Sequence, residues 1–117
     1  MKLRIKGNSI RLRLSRRDIA QLETNGRVEE WVEFGRTGRF GYALEVGGET
    51  VAASFAGGRI TVSLPYSLAR EWTASDRIGI EAGGTPQILI EKDFACLTPR
   101  VGEDESEMFR HPGGAAC

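Results

Sequence analysis

The residues of this sequence whose types and spacing could do chemistry are the cations near its start. The first 17 residues hold seven lysines and arginines and no acidic residue. Five of these cations alternate with apolar residues, namely Lys2, Arg4, Lys6, Arg11 and Arg13. Because successive side chains of a strand point to opposite faces, this spacing predicts one basic face on a hairpin that turns at Gly7-Asn8. Such a face could neutralise DNA phosphates while Asn8 contacts base edges.

A structural interpretation of the same cations stands beside this one. Glu29 and Glu33 could pair with them across the sheet and leave a solvated, salt-bridged face. The formal net charge is zero, but the charge is unevenly distributed, with a basic start and an acidic stretch from Glu103 to Glu107. Such asymmetry can mark a nucleic-acid surface with a competing acidic tail. The two interpretations differ in whether the cations are exposed together or paired with Glu29 and Glu33.

Metal binding and catalysis have weaker support in the sequence. Cys96, His111 and Cys117 could supply thiolate and imidazole ligands to zinc, although their spacing matches no established zinc motif. The single histidine lies near the C-terminus, which argues against a firmly held catalytic triad. Glu91 and Asp93 share one face of a strand and could act as acid and base, but an exposed strand edge is the commoner role. We therefore expect no catalytic residue and no cofactor.

Hydropathy and cysteine content indicate a cytoplasmic protein. No apolar run approaches the roughly 18 residues of a membrane span, and the alternating N-terminus does not resemble a secretory signal. In a reducing compartment, Cys96 and Cys117 are expected to be free thiols. We expect no membrane role. The sequence leaves the oligomeric state open.

Alternating apolar residues predict strands along most of the chain, interrupted by two short helices. Ser15 and Asp18 form a capping pattern that begins a helix over residues 16 to 24. Pro65 begins the second helix, which runs through Trp72. Ile78 and Ile80 predict the next strand, and the last strand is expected to continue through Phe94 and Cys96. Trp31 lies opposite the apolar face of its own strand, where it could cover the second side of the sheet or meet a helix or a partner.

The order of these elements repeats at an interval of 50 residues. The shift superimposes Leu14 on Leu64, Leu22 on Trp72 and Val28 on Ile78. We therefore predict an α+β, mostly antiparallel β fold. Its two β-β-α-β-β units, residues 2–46 and 50–92, would pack as a barrel-like intrachain pseudo-dimer with two short helices. They would form one domain over residues 1–98, followed by a flexible acidic tail over residues 99–117.

The repeated unit resembles the swapped-hairpin domain of bacterial transition-state regulators and MazE-type antitoxins. The resemblance rests on the stretch Gly7-Asn8-Ser9-Ile10-Arg11-Leu12-Arg13-Leu14-Ser15 and on Val62-Ser63-Leu64-Pro65 with Asp76. It implies intertwined hairpins and a DNA-binding sheet face, with DNA-facing positions at Arg4, Asn8, Ser9 and Arg13. The matching positions in the second half are Ser54, Gly58, Arg59 and Ser63. Most of the cationic set is therefore missing from the second half.

The whole chain also resembles a family of small uncharacterised bacterial proteins. That resemblance rests on the Lys-Leu-Arg-Ile-Lys-Gly-Asn-Ser start and on Glu-Lys-Asp-Phe-Ala-Cys-Leu near the end. From these observations we expect a non-catalytic binding module for a protein partner or an undefined ligand. The alternative is a DNA-binding regulator or antitoxin-like protein that uses the basic N-terminal hairpin.

Overall fold

A computed structural model of the chain describes residues 1–94. This part contains eight strands, two α-helices and one 3-10 turn at Gly35–Thr37. The strands are β1 (Lys2–Lys6), β2 (Ser9–Leu14), β3 (Arg27–Glu33), β4 (Arg39–Val46), β5 (Ala52–Ala56), β6 (Arg59–Leu64), β7 (Gly79–Ala82) and β8 (Gln87–Lys92). The helices are α1 (Arg16–Asn25) and α2 (Tyr66–Ala74). The α+β fold class, dominated by strands and built from two β-β-α-β-β units, is confirmed.

The two units exchange hairpins with each other. The first sheet has the order β1-β2-β8-β7, and the second has the order β3-β4-β6-β5. Each sheet therefore combines one hairpin from each unit. The two hairpins of a sheet meet through a parallel pair, β2 with β8 and β4 with β6, while the pairs within hairpins are antiparallel. Neither unit has a complete sheet of its own, so we expect the two units to fold together.

The hydrophobic core lies between the two sheets and the helices. Period-two alternation in β2 and β6 buries three apolar residues of each strand. These six side chains are Ile10, Leu12, Leu14, Ile60, Val62 and Leu64. Leu22 from α1 and Trp72 from α2 complete the same cluster, and the Trp72 indole N–H donates to the carbonyl of Ile78 at 3.2 Å. The core thus draws on corresponding positions of both units.

Helix α1 begins at the predicted capping box. The Ser15 hydroxyl accepts from the backbone N–H of Asp18 at 3.2 Å, and the Asp18 carboxylate accepts from the backbone N–H of Ser15 at 2.9 Å. Gly26 ends the helix in the left-handed conformation, with φ 72°, which glycine adopts without steric cost. Helix α2 instead follows Pro65 and has no side-chain cap. Local chemistry therefore determines where α1 starts and stops.

Two predicted strand boundaries are wrong. The 50-residue interval aligns Val28 with Ile78. In the structure Val28 lies opposite Leu44, and the counterpart of Leu44 in the second unit is Ile90. The residue opposite Ile90 is Ile80, so Ile80 and not Ile78 corresponds to Val28. Ile78 precedes β7 and is 61% exposed. The repeat changes register here because more residues separate α2 from β7 than separate α1 from β3. The last strand ends at Lys92, and Phe94 lies beyond it with 59% exposure.

The amino group of Met1 joins the first strand to the rest of the fold. It forms ion pairs with Asp18 at 2.9 Å and with Glu30 at 3.0 Å. The Tyr42 hydroxyl lies 3.1 Å from both the Met1 carbonyl oxygen and the Glu30 carboxylate. Burial, and then the Glu30 carboxylate, raise the pKa of Tyr42. These contacts connect β1 to α1, β3 and β4, so they tie the first sheet to the second.

The structure holds no helix, within residues 1–94, that is long and apolar enough to cross a membrane.

Candidate nucleic-acid interface

The basic face predicted from the sequence exists on the outer side of the first sheet. We use this name for Lys2, Arg4, Lys6, Arg11 and Arg13. The antiparallel register of β1 and β2 places Lys2 opposite Arg13, Arg4 opposite Arg11 and Lys6 opposite Ser9. The intervening residues Leu12 and Leu14 point into the core. Strand alternation therefore brings five cations together on two neighbouring strands.

Carboxylates of the partner strand orient part of the basic face. Glu91 on β8 lies opposite Arg13, and its Oε1 is 2.6 Å from Arg13 Nε and 3.7 Å from Arg11 Nε. Asp93, just after β8, lies 2.8 Å from Lys2 Nζ. Glu91 and Asp93 therefore share a face, as the sequence predicts, and both contact cations of that face. These contacts orient the side chains of Lys2, Arg11 and Arg13.

The predicted pairing of the basic face with Glu29 and Glu33 is replaced by these contacts. Glu29 and Glu33 lie on β3, in the other sheet, where they pair with Arg27, Arg59 and Arg39. The reason is topological: β2 takes β8 as its neighbour, so β8 supplies the carboxylates. The sequence does not indicate that β2 and β8 are neighbours, because the two strands belong to different units and are far apart along the chain.

The cross-strand register of the basic face opposes like charges. Arg4 faces Arg11, and Lys2 faces Arg13, across β1 and β2. Directly opposed like charges destabilise an antiparallel pair by a few tenths of a kcal/mol to about 1 kcal/mol. Glu91 and Asp93 offset part of this repulsion, because each contacts a cation of these pairs.

The second unit provides an internal comparison for this face. At the positions of Lys2, Arg4 and Lys6 in β1, strand β5 carries Ala52, Ser54 and Ala56. At the positions of Arg11 and Arg13 in β2, strand β6 carries Thr61 and Ser63. The same backbone pairing therefore forms with small, neutral residues. It follows that the fold itself does not require cations on the outer face of the first sheet.

The turn end of the basic face carries the other predicted contact residues. Asn8 is exposed in the Gly7-Asn8 turn, and its carbonyl oxygen accepts from the backbone N–H of Gln87 at 3.0 Å. The Ser9 hydroxyl donates to the Lys6 carbonyl at 2.8 Å. A polar cavity of about 340 Å³ adjoins this end and is lined by Ser9, Arg11, Glu81, Gln87 and Leu89, among others. The structure thus brings together all five predicted DNA-binding residues, Arg4, Asn8, Ser9, Arg11 and Arg13.

A second polar cluster lies on the outer face of the second sheet, around Trp31 and Glu29, and the sequence did not indicate that its arginines and Gly41 belong to it. The Trp31 ring lies flat over Gly41, the residue directly opposite it on β4. The Arg39 guanidinium stacks on the ring, 3.9 Å from its centroid. The Trp31 indole N–H donates to Glu29. Trp31 therefore covers part of the second side of the sheet, which is one of the roles predicted for it.

Glu29 organises this second cluster. Its carboxylate accepts from Arg27 Nε at 3.0 Å and lies 3.4 Å from Arg59 Nη1. Hydrogen bonds from Arg27 and then Trp31 hold the pKa of Glu29 below its usual range. A glycine directly opposite a tryptophan in a predicted hairpin is the sequence signal that could have revealed the cluster. That signal becomes visible only once the register of β3 and β4 is known.

The proposed metal ligands Cys96, His111 and Cys117 lie outside the described residues. Within residues 1–94, no group of three or more potential ligands is suitably placed to hold a metal ion. A cavity of about 350 Å³ lies between the helices and is lined by Leu22, Gly26, Val46, Tyr66, Ala69 and Arg70, among others.

Comparison with known proteins finds one matching family model. It is described as a family of unknown function, DUF7009, and it matches residues 1–113. No curated protein and no solved structure matches the chain.

Proposed function

The chain belongs to the family of unknown function DUF7009, and we propose that it is a non-catalytic protein that binds duplex DNA through the basic face. The observation that carries the proposal is the register of β1 and β2, which opposes Arg4 to Arg11 and Lys2 to Arg13. A polyanion relieves the repulsion between these cations when its phosphates lie between them. Each phosphate contact also releases condensed counterions, which drives association at low salt.

Charge at the basic face favours an anionic ligand. In the described part of the chain, the carboxylates on or beside this face are Glu81, Glu91 and Asp93, against five cations. The extended strands of a two-stranded ribbon can follow a DNA groove, and polar residues at its turn can then reach base edges. Asn8 and Gln87 occupy that position here. The side chains of Arg11 and Arg13 are only 25% and 14% exposed, whereas the three cations of β1 are exposed. We therefore assign phosphate contacts to Lys2, Arg4 and Lys6 and base contacts to the turn.

Hairpin exchange supports the resemblance to transition-state regulators and MazE-type antitoxins, and we include that relationship in the proposal. In this chain one polypeptide provides both units, and only the first unit has the cationic set. Two-fold reading of a palindromic site requires two equivalent faces. A single chain therefore contacts one DNA segment asymmetrically, with affinity dominated by phosphates.

A protein partner is the second candidate, and the Trp31 cluster favours it. Tryptophan and arginine are enriched among the residues that dominate protein interfaces. Trp31 and Arg39 are held in a fixed stack on the outer face of the second sheet. A partner that depends on this stack would be retained by wild-type protein and lost from the Trp31→Ala variant in affinity purification. Retention of the partner by both wild-type protein and Trp31→Ala would show that this surface does not bind it.

The test of DNA binding replaces the β1 cations with the residues found at the same places in β5. The triple variant Lys2→Ala, Arg4→Ser, Lys6→Ala should fold, because the same pairing forms with these residues in the second sheet. Binding to random-sequence duplex DNA is measured by fluorescence anisotropy across a salt series. The slope of log K against log salt is negative, and the loss of three phosphate contacts should reduce its magnitude by about 2.7.

A matched control removes the same charge elsewhere. The variant Arg16→Ala, Arg17→Ala, Arg36→Ala loses three exposed cations from α1 and from the 3-10 turn. We expect it to keep the wild-type slope apart from a small general effect of net charge. Equal losses in both triple variants, or no binding by wild-type protein at about 20 mM salt, would refute the basic face as a DNA-binding surface.

A further inference from the structure

Within residues 1–94, β5 is an edge strand whose own sequence has none of the usual protection against pairing with another chain. It lies at the end of the second sheet, with β6 as its neighbour, and its sequence is Ala-Ala-Ser-Phe-Ala. Phe55 is 67% exposed. Natural edge strands are commonly protected by charged residues, proline or a bulge. None of these is present in β5, so among the described residues its outer backbone edge has no strand beside it and is open to one.

The equivalent edge of the first sheet is protected against strand pairing by charged residues. Strand β1 occupies the matching place and reads Lys-Leu-Arg-Ile-Lys. Two copies of β1 paired edge to edge would bring cations against cations. Among the other described edges, β3 carries four charged residues and β7 has only four residues, including Glu81. Self-association by strand pairing is therefore open to β5 and disfavoured at the other three edges.

The backbone of β5 is also oriented for pairing. Ala56 and Arg59 flank a two-residue turn in which Gly57 and Gly58 have φ values of 60° and 73°, as in a type I′ hairpin. The flanking pair of such a hairpin is hydrogen-bonded, and the pattern alternates along the strand. By this alternation Ala52, Ser54 and Ala56 bond to β6. The N–H and C=O groups of Ala53 and Phe55 then point to the open edge.

We propose that β5 pairs with β5 of a second copy of this chain, antiparallel and about a two-fold axis at Ser54. This register places Ala53 opposite Phe55 of the second copy, so that the groups at the open edge bond to each other. The two Phe55 rings become diagonal neighbours, about 7–8 Å apart at their Cα atoms, which is within reach of aromatic contact. No charged side chain lies within the paired segment. A second copy is the occupant that this self-complementary strand fits.

The size of the contact predicts its strength. A stable, specific interface buries about 800 Å² on each partner. A five-residue strand is only about 17 Å long, so pairing of β5 with one exposed phenylalanine per copy buries considerably less. We expect a weak dimer with a Kd on the order of 10–100 µM. Its two basic faces would be related by the two-fold axis, giving a pair of equivalent surfaces that one chain lacks.

The experiment uses charge at the axis. Ser54 corresponds to Arg4 in β1, so Ser54→Arg is a substitution that the strand pairing of this fold accommodates. Sedimentation equilibrium is measured on full-length protein from about 1 µM to 1 mM. Wild-type protein should dimerise in this range, whereas Ser54→Arg and Ser54→Glu should each be monomeric because like charges meet at the axis. An equimolar mixture of the two variants should recover a dimer at least as strong as that of wild-type protein.

Two further variants keep the test decisive. Gln21→Arg adds the same charge at an exposed position of α1 and should leave association unchanged. Phe55→Ser should weaken association about tenfold while circular dichroism shows a folded protein. A wild-type protein that is monomeric at about 1 mM, a dimer that survives both charge variants, or a mixture that stays monomeric would overturn the proposal. None of these results depends on DNA binding.

Discussion

Replacing Gly41 with alanine probes how tightly Trp31 is seated on the second sheet. A Cβ at Gly41 would lie 2.6 to 2.8 Å from three atoms of the Trp31 ring. This separation is too short for two carbon atoms in contact, and the ring must move away. Displacement of the ring also disrupts its stack with Arg39 and its hydrogen bond to Glu29. Gly41→Ala therefore changes a whole cluster through one methyl group.

The magnitude follows from opposing effects. Overpacking a well-fitted site costs typically about 1–3 kcal/mol. Loss of an exposed cation–π contact adds about 0.5–1 kcal/mol. Alanine in a strand interior recovers about 0.5–1 kcal/mol of the backbone entropy that glycine loses on folding. We expect the free energy of unfolding to fall by about 1–3 kcal/mol, and each kcal/mol lowers the Tm by about 4 °C for a domain of this size.

The assay is urea unfolding followed by far-ultraviolet circular dichroism, with Gly83→Ala as the matched control. Gly83 has open space where its Cβ would stand, and its φ is not in the left-handed region. In a Trp31→Ala background the clash is absent, so Gly41→Ala should become neutral or slightly stabilising. An equal loss of stability with and without the Trp31 ring, or no loss in the wild-type background, would refute the packing of Trp31 on Gly41.

Two further predictions concern α1 and the core. Partial burial raises the pKa of Asp18, but hydrogen bonds from the Met1 amine and from Ser15 outweigh it and lower that pKa. The stabilisation by Asp18 is thus present above pH about 4 and is lost as the pH falls through the lowered folded pKa. Asp18→Asn should cost about 1 kcal/mol at pH 7 and progressively less as the pH falls below about 4, and a cost in urea unfolding that does not change with pH would contradict this. Trp72→Ala should reduce the free energy of unfolding by about 3–5 kcal/mol, whereas Tyr66→Ala, at an exposed position of the same helix, should cost under about 0.5 kcal/mol. Similar losses for these two variants would show that Trp72 is not a core residue.

The sequence predicted local structure well because local chemistry decides it. Alternation in β2 and β6 was sufficient to identify their buried faces, and Ser15 with Asp18 was sufficient to start α1. The prediction was wrong where loop length changed the register, as at Ile78, because a fixed interval cannot represent inserted residues. The five predicted DNA-contacting residues lie together, since a single hairpin holds them and no distant element is needed to assemble them. Their role in DNA binding stays a prediction.

Partner choice between strands was decided only by the tertiary structure. Alternating patterns fix which face of a strand is buried, but a strand of either unit could pair with several others at similar local energy. Exchange of hairpins is settled by packing of the whole core, and it determines that Glu91 and Asp93, not Glu29 and Glu33, contact the basic face. The same exchange leaves β5 at an edge and seats Trp31 over Gly41. The sequence by itself thus determined the elements, their faces and the basic hairpin, whereas long-range packing determined the neighbours of each strand.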